Sequence, residues 1–175
     1  MRIRPQHSHE SSDIASLLEL AFGGSLVSRL YHRLRESPGA LPRLSLVADD
    51  DHRLVGHVML SRIDLHCVDG PVGILMLTPL AVSPDRQGVG VGSRLVRAAL
   101  AAARRTAYPL VVLEDSPAHY TRFGFRTASS VGVQRPSDLI PDAAFQVVTL
   151  GEDVAPSCGR VVYPQLMYEL GAVGP

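Results

Sequence analysis

Leu80-Ala81-Val82-Ser83-Pro84-Asp85-Arg86-Gln87-Gly88-Val89-Gly90-Val91-Gly92-Ser93-Arg94-Leu95-Val96 decides how this chain is read. An apolar strand runs into a turn, three glycines alternate along a loop, and an alanine-rich helix follows at once. Glycines at alternate positions let successive N–H groups face one concavity. A helix starting there adds unpaired N–H groups and the positive end of its dipole. Such a corner binds an anion, most often a phosphate.

Outward from the loop, the pattern is strand-poor at first and then sheet-rich. Residues 1–5 read as a strand. Ser11-Ser12-Asp13 opens a helix with Ile14, Leu17, Leu18 and Phe22 on its apolar face, ended by Gly23-Gly24. A second helix spans about residues 25–36 with Leu26, Leu30 and Leu34 at helical spacing. Residues 44–48 read as a strand, 49–52 as a turn, and 53–65 as the hairpin partner. Asp69-Gly70 signals another hairpin into a long apolar strand over 72–82. The helix after the loop runs over about 90–105, and 110–113 is a short buried strand. A short helix follows at 117–122, and 145–150 and 161–170 read as the last two strands, with a loop over 154–159. The order β-α-α-β-β-β-α-β-α-β-β predicts an α+β fold. Its mixed sheet is mostly antiparallel, with one right-handed parallel βαβ crossover that contains the loop and with flanking helices.

Composition narrows the functions. The 175 residues suit one domain, 1–175, with a substantial core, and net charge is zero. No bulk charge favours nucleic acid or an anionic membrane. There is no lysine, so a P-loop lysine and a Schiff-base lysine are both excluded. Gly88-x-Gly90-x-Gly92 does not fit the dinucleotide spacing G-x-G-x-x-G, and its strand is the fourth rather than the first. Cys67 and Cys158 form no CxxC pattern and read as free thiols. His7-x-His9-Glu10, beside a terminus, reads as exposed, and no metal is expected. Met1 to Pro5 lacks the apolar core of a signal peptide, and no apolar run reaches the roughly 18 residues of a membrane span, so a cytoplasmic protein is expected.

Gln87-x-x-Gly90-x-Gly92, between a strand and a helix, resembles the Q/R-x-x-G-x-G/A motif of the Gcn5-related N-acetyltransferases (GNAT). His119-Tyr120-Thr121-Arg122-Phe123-Gly124-Phe125 is similar to that family's second motif, and Gly56-His57-Val58 is similar to a segment of its small bacterial members. The resemblance covers about residues 1–126. It implies a GNAT-like acyl-CoA N-acyltransferase fold with acetyl-CoA as donor. Cofactor contacts would fall on Leu80, Ala81 and Val82 of the strand, and on Arg86, Gln87, Gly88, Val89, Gly90, Val91, Gly92 and Ser93 of the loop and helix start. The implied reaction is direct attack of a primary amine, on a small molecule or a peptide, in a ternary complex. A homodimer is compatible with it.

Tyr120 matches the general acid that protonates the leaving sulfur. The family often carries a glutamate on the strand before the loop, but residues 73–78 hold no acid. That leaves the base open among Glu114, Asp115 and His119, with His57 a weaker candidate. It also keeps alive a CoA-binding regulatory domain without turnover. Pro79 has no N–H to give a ladder, so a bulge at Thr78-Pro79 is expected to part this strand from the next.

Overall fold

The structure, a computed structural model, describes residues 1–151 and 159–174. The chain divides into two compact units, residues 1–61 with 77–102 and residues 62–76 with 103–175. Strands β3 (Arg53–Cys67) and β4 (Gly70–Val82) contribute to both.

In the first unit, β1 (Arg2–Pro5) pairs antiparallel with β2 (Ser45–Asp50), and β2 pairs antiparallel with β3, with a register shift at Ala48/Asp49. Asp49 and Asp50 belong to β2 rather than to the turn. The turn is Asp51-His52, with φ of 51° and 69°. Both values are positive, as a two-residue type I′ hairpin requires, and the Asp49 carboxylate accepts the His52 N–H at 3.0 Å. Helix α1 (Ser11–Phe22) buries Ile14, Leu17 and Leu18, and α2 (Leu26–Arg35) buries Leu30, Tyr31 and Leu34. Phe22 and Leu26, expected in the core, are exposed. Phe22 is the last residue of α1 and Leu26 the first of α2, with the Gly23 cap, φ 71°, between them.

Helix α3 (Val91–Ala103) buries Val91, Leu95, Val96, Ala99, Leu100 and Ala103. It seats on β3 at Gly56. A Cβ built there would lie 2.8 Å from Leu95 Cδ1, 3.1 Å from Val91 Cγ1 and 3.2 Å from the Ala81 carbonyl. Hydrogen fills that position so that the helix can approach the strand.

In the second unit, β4 pairs parallel with β5 (Leu110–Glu114) through two residue pairs, Leu75 with Val111 and Met76 with Val112. β5 pairs antiparallel with β8 (Phe145–Thr149), which takes β6 (Arg126–Thr127) on its other edge. β9 (Gly159–Val162) pairs with β3 and, in parallel, with β7 (Val133–Gln134). The segment 161–170, expected to be a strand, leaves β9 after Val162. Pro164 then caps helix α5 (Gln165–Glu169), because its fixed φ suits a helix entry and its missing N–H could not serve a ladder. β4 is a strand throughout, and its Thr78–Pro79 peptide bond is cis. The β3–β4 turn is Val68-Asp69, and Gly70, with φ of 116°, opens β4. Of the loop expected over 154–159, residues 154–158 with Cys158 lie outside the described residues, and Gly159 opens β9. Among the described residues no helix is long and apolar enough to cross a membrane.

Candidate active site

The glycine loop belongs to the first unit. β4 ends at Val82, a 3-10 turn spans Pro84–Arg86, and α3 begins at Val91. Gly88 and Gly90 have φ of 75° and 90°, where side chains are disfavoured, and a Cβ on either would meet nothing within 4 Å. Gly92 lies in the first turn of α3 with an ordinary helical φ, its Cβ position 3.5 Å from Val82 Cγ2. Two of the three glycines therefore set the turn; the third keeps the helix start bare. The Gly90 carbonyl accepts the Arg94 N–H at 3.1 Å, which makes Gly90 the helix cap. Within this unit the amides of residues 88–93 have no backbone acceptor. Residues 87–90 are exposed. A fixed row of free N–H groups thus opens to solvent at the positive end of a 13-residue helix.

Side chains beneath the loop fasten it. Arg53 donates through both Nη atoms to the Asp85 carboxylate at 2.8 and 3.0 Å, and the Ser83 hydroxyl donates to the same group. Arg53 and Ser83 hold the Asp85 carboxyl down at about 2. Arg86 pairs with Asp50, which also receives the Met1 ammonium at 3.1 Å. Gln87 turns its amide back onto the Val82 carbonyl at 3.1 Å. The Arg86 and Gln87 side chains are thus engaged, and their N–H groups close the turn on the Ser83 and Pro84 carbonyls at 2.8 and 3.4 Å, so the free amides begin at Gly88. Arg53 and Asp50 had no sequence signal, since their role exists only once β2 and β3 meet the loop.

Glu114, His119 and Tyr120 belong to the second unit. Glu114 ends β5 partly buried, and that burial raises its pKa. The Tyr163 hydroxyl and the Gly174 N–H donate to it and oppose the rise. Tyr120 is buried in α4 (Pro117–Tyr120), its ring edge-on to Phe123 and Phe125 with centroids at 6.3 and 5.7 Å. Its pKa is raised by burial, by the Asp115 charge and by its hydrogen bond to Asp115. The phenol therefore keeps its proton at neutral pH. Asp115 is itself fixed, with its N–H on the Ala144 carbonyl at 3.0 Å and its carboxylate accepting the Ser116 N–H at 2.6 Å. His119 is exposed on α4.

His57 does not qualify as a base. It is fully buried, and burial together with the nearby Arg35 charge pushes its pKa down to about 3. His7 and His9 stack at 5.5 Å, while Glu10 is taken by Arg4. Among the described residues no cluster of three or more His, Cys, Asp or Glu could hold a metal. Tyr163 and Asp115, the partners of Glu114 and Tyr120, were not legible as such. Tyr163 lies in a segment that sequence pattern gave to a strand.

A family model described as "Acetyltransferase (GNAT) domain" matches residues 2–128. This chain belongs to the GNAT acetyltransferase family. It is 31% identical over 155 residues to the uncharacterized N-acetyltransferase YhbS of Escherichia coli K12, covering 87% of this chain and 89% of that one. It is 36% identical over 117 residues to the uncharacterized N-acetyltransferase YjhQ of the same organism, where the match spans 66% of this chain and 64% of YjhQ. The crystal structure of YhbS from Escherichia coli in complex with CoA superposes with a TM-score of 0.86 at 30% identity, covering 95% of this chain and 91% of that one. A GNAT family acetyltransferase from Brucella melitensis, in complex with acetyl-CoA, gives 0.73 at 28% identity over 93% of this chain and 95% of that one. The mixed parallel and antiparallel sheet with flanking helices is the fold that the sequence order predicted.

Proposed function

We propose that this chain works as a single acetyltransferase domain, cytoplasmic, that moves the acetyl group of acetyl-CoA to a primary amine by direct attack in a ternary complex. The observation that carries the reading is the fastened, solvent-facing row of unpaired amides at 88–93, capped by two positive-φ glycines. In this reading those amides hold the cofactor's pyrophosphate, and main-chain groups of Leu80, Ala81 and Val82 hold the pantetheine arm. CoA and acetyl-CoA in the two related crystal structures support the choice of cofactor.

In the reaction, the amine nitrogen forms a bond to the thioester carbon and the carbonyl becomes an alkoxide, stabilised by a β4 amide near Leu80. Collapse breaks the C–S bond. Tyr120, which keeps its proton at neutral pH, supplies it to the departing thiolate. The ammonium proton leaves to Glu114, whose burial raises its basicity, or to exposed His119 by way of water. The second reading, a CoA-binding regulatory domain without turnover, draws on two observations. β4 carries no acid from Gly70 to Val82, and Glu114 is already engaged by Tyr163 and Gly174.

The test is thiol release from acetyl-CoA in the presence of primary amines, beside calorimetric CoA titration. Binding with amine-dependent release supports the enzyme. Binding without release across a broad amine panel supports the regulatory reading, and absence of CoA binding defeats both.

A further inference from the structure

In the first unit a pocket of about 370 Å³ opens between the end of β1, the end of α2 and the start of β2. Gln6, Ser8, Arg35 and Ser45 supply its polar wall, and Leu41, Pro42 and Met59 its apolar one. None of these residues belongs to the cofactor loop. The size falls within the ordinary range for small-molecule sites.

Arg35 is the sole formal charge among the lining residues. It donates to Ser11 Oγ at 2.5 Å and lies over the Tyr31 ring at 5.4 Å, and no carboxylate pairs with it among the described residues. Burial first, and the Arg35 charge after it, lower the pKa of His57 and hold that imidazole neutral.

The polarity of the wall follows from hydrogen-bond accounting. The Tyr31 hydroxyl donates to Gln6 Oε1 at 3.3 Å, and the Ser45 hydroxyl donates to the same oxygen. With its proton used, Ser45 accepts from His57 Nε2–H at 2.9 Å, which leaves the buried His57 Nδ1 as a lone pair without a partner. That is the cheaper of the two tautomers, since a buried orphan N–H costs more than an orphan acceptor. Gln6 Oε1 is therefore saturated, and its NH₂ has no partner among the described residues. Apart from the Arg35 bond to Ser11 Oγ, the pocket offers a guanidinium with no carboxylate and a Gln6 NH₂ with no acceptor among the described residues, beside an apolar wall. A planar carboxylate satisfies this set, and a polyamine is repelled by it.

Met59, paired with Ser45, sits on β3, whose other neighbour is β4, and the Ser83 N–H donates to the Val55 carbonyl at 2.9 Å. Strand spacing puts β3 about 5 Å and β2 about 10 Å from the strand assigned to the pantetheine arm. A single α-amino acid, about 3.5 Å long, falls short of even the one strand spacing between β4 and Met59 on β3, whereas two extended residues span about 7 Å and cross it.

We propose that this pocket binds the free carboxylate of the amine acceptor, so that the acceptor is a short peptide of dipeptide size rather than an alkylamine or polyamine. The proposal rests on the acetyltransferase reading above.

The experiment compares glycyl-leucine with its C-terminal amide and with propylamine, in the wild type and in Arg35→Gln and Arg35→Lys, with glycyl-leucine binding followed separately by calorimetry. The expected result is a kcat/KM at least tenfold higher for the acid than for the amide, carried by KM. Arg35→Gln erases the difference, Arg35→Lys restores part of it, and CoA affinity stays unchanged in both variants. Equal rates for acid and amide in the wild type, a gap that survives Arg35→Gln, or acetylation of propylamine alone overturns the proposal. Calorimetry separates the two layers. Glycyl-leucine binding that Arg35→Gln abolishes, without any acetyl transfer, keeps the carboxylate pocket and removes the enzymatic reading. Turnover of other amines with no glycyl-leucine binding removes the pocket and keeps the enzyme.

Discussion

Gly56→Ala tests whether the seating of α3 on β3 sets both stability and cofactor affinity. The added Cβ would stand 2.8 Å from Leu95 Cδ1, against the 3.5–4.0 Å at which carbon atoms attract. The overlap is about 0.7 Å or more. Leu95 is fully buried, and Val91 Cγ1 and the Ala81 carbonyl close the other sides at 3.1 and 3.2 Å. Side-chain adjustment cannot relieve the approach to the Ala81 carbonyl, so the expected response is a shift of the first turn of α3 away from the strand. Overpacking of this kind costs about 1–3 kcal/mol, while exchanging glycine for alanine in a strand returns about 0.5–1 kcal/mol. The expected net loss lies between about 0 and 2.5 kcal/mol, with a middle value of about 1 kcal/mol. Gly90, Val91 and Gly92 ride on that turn, so the amides proposed to hold pyrophosphate move with it. CoA affinity should fall together with the denaturant midpoint.

A double-mutant cycle isolates the cause. Leu95→Ala alone should cost about 2–5 kcal/mol by leaving a cavity. In Gly56→Ala/Leu95→Ala the new methyl has room, so the pair should be about 1 kcal/mol less damaging than the sum of the singles. Urea unfolding of the four proteins and CoA titration of the wild type and Gly56→Ala measure both quantities. Strict additivity, or a Gly56→Ala protein with native stability and native CoA affinity, would falsify the seating argument.

Gly90→Glu should abolish CoA binding measured by calorimetry while the far-UV circular dichroism stays native. A carboxylate would enter an anion site, and the φ of 90° adds strain of about 1–2 kcal/mol for any side chain. Tyr120→Phe should lower kcat by about 10²-fold or more with CoA affinity little changed, and wild-type turnover would remove the phenol from the mechanism. His57→Gln should flatten the acid limb of stability. The folded imidazole titrates near 3 and the unfolded one near 6.5, so the unfolded state takes up the proton first and stability falls as pH drops from about 6.5 toward 3. Glu10, held down at about 2 by Arg4 against an ordinary 4.5, acts in the same direction but only below about pH 5. Urea midpoints between pH 6.5 and 5 therefore isolate His57, and an unchanged slope in the variant would show that its burial is not what the acid limb reports.

Gly56-His57-Val58 shows where sequence reading stops. The triplet was visible as a family-like segment, but its physics was not. Gly56 is bare because α3, some 35–40 positions on, lies against it, and His57 is neutral because it is buried against Tyr31 and Ser45 and feels the Arg35 charge. Alternation of apolar residues fixes which face a strand buries; it does not say which helix arrives there. The glycine loop was more legible, because a positive φ is a local demand that only glycine meets cheaply, and Gly88 and Gly90 carry it. Its fastening was invisible for the same reason that Gly56 was opaque. Asp85 gains its meaning from Arg53 and Arg86 from Asp50, residues brought in by a hairpin far upstream. The failure at 161–170 has another character. Val161 and Val162 do pair as a strand, and the apolar run after them looks continuous with it, but Pro164 ends the ladder and starts a helix. One residue that cannot donate a hydrogen bond outweighs the β-propensity around it, because a ladder position without its N–H is lost outright while propensity shifts an equilibrium by a fraction of a kcal/mol.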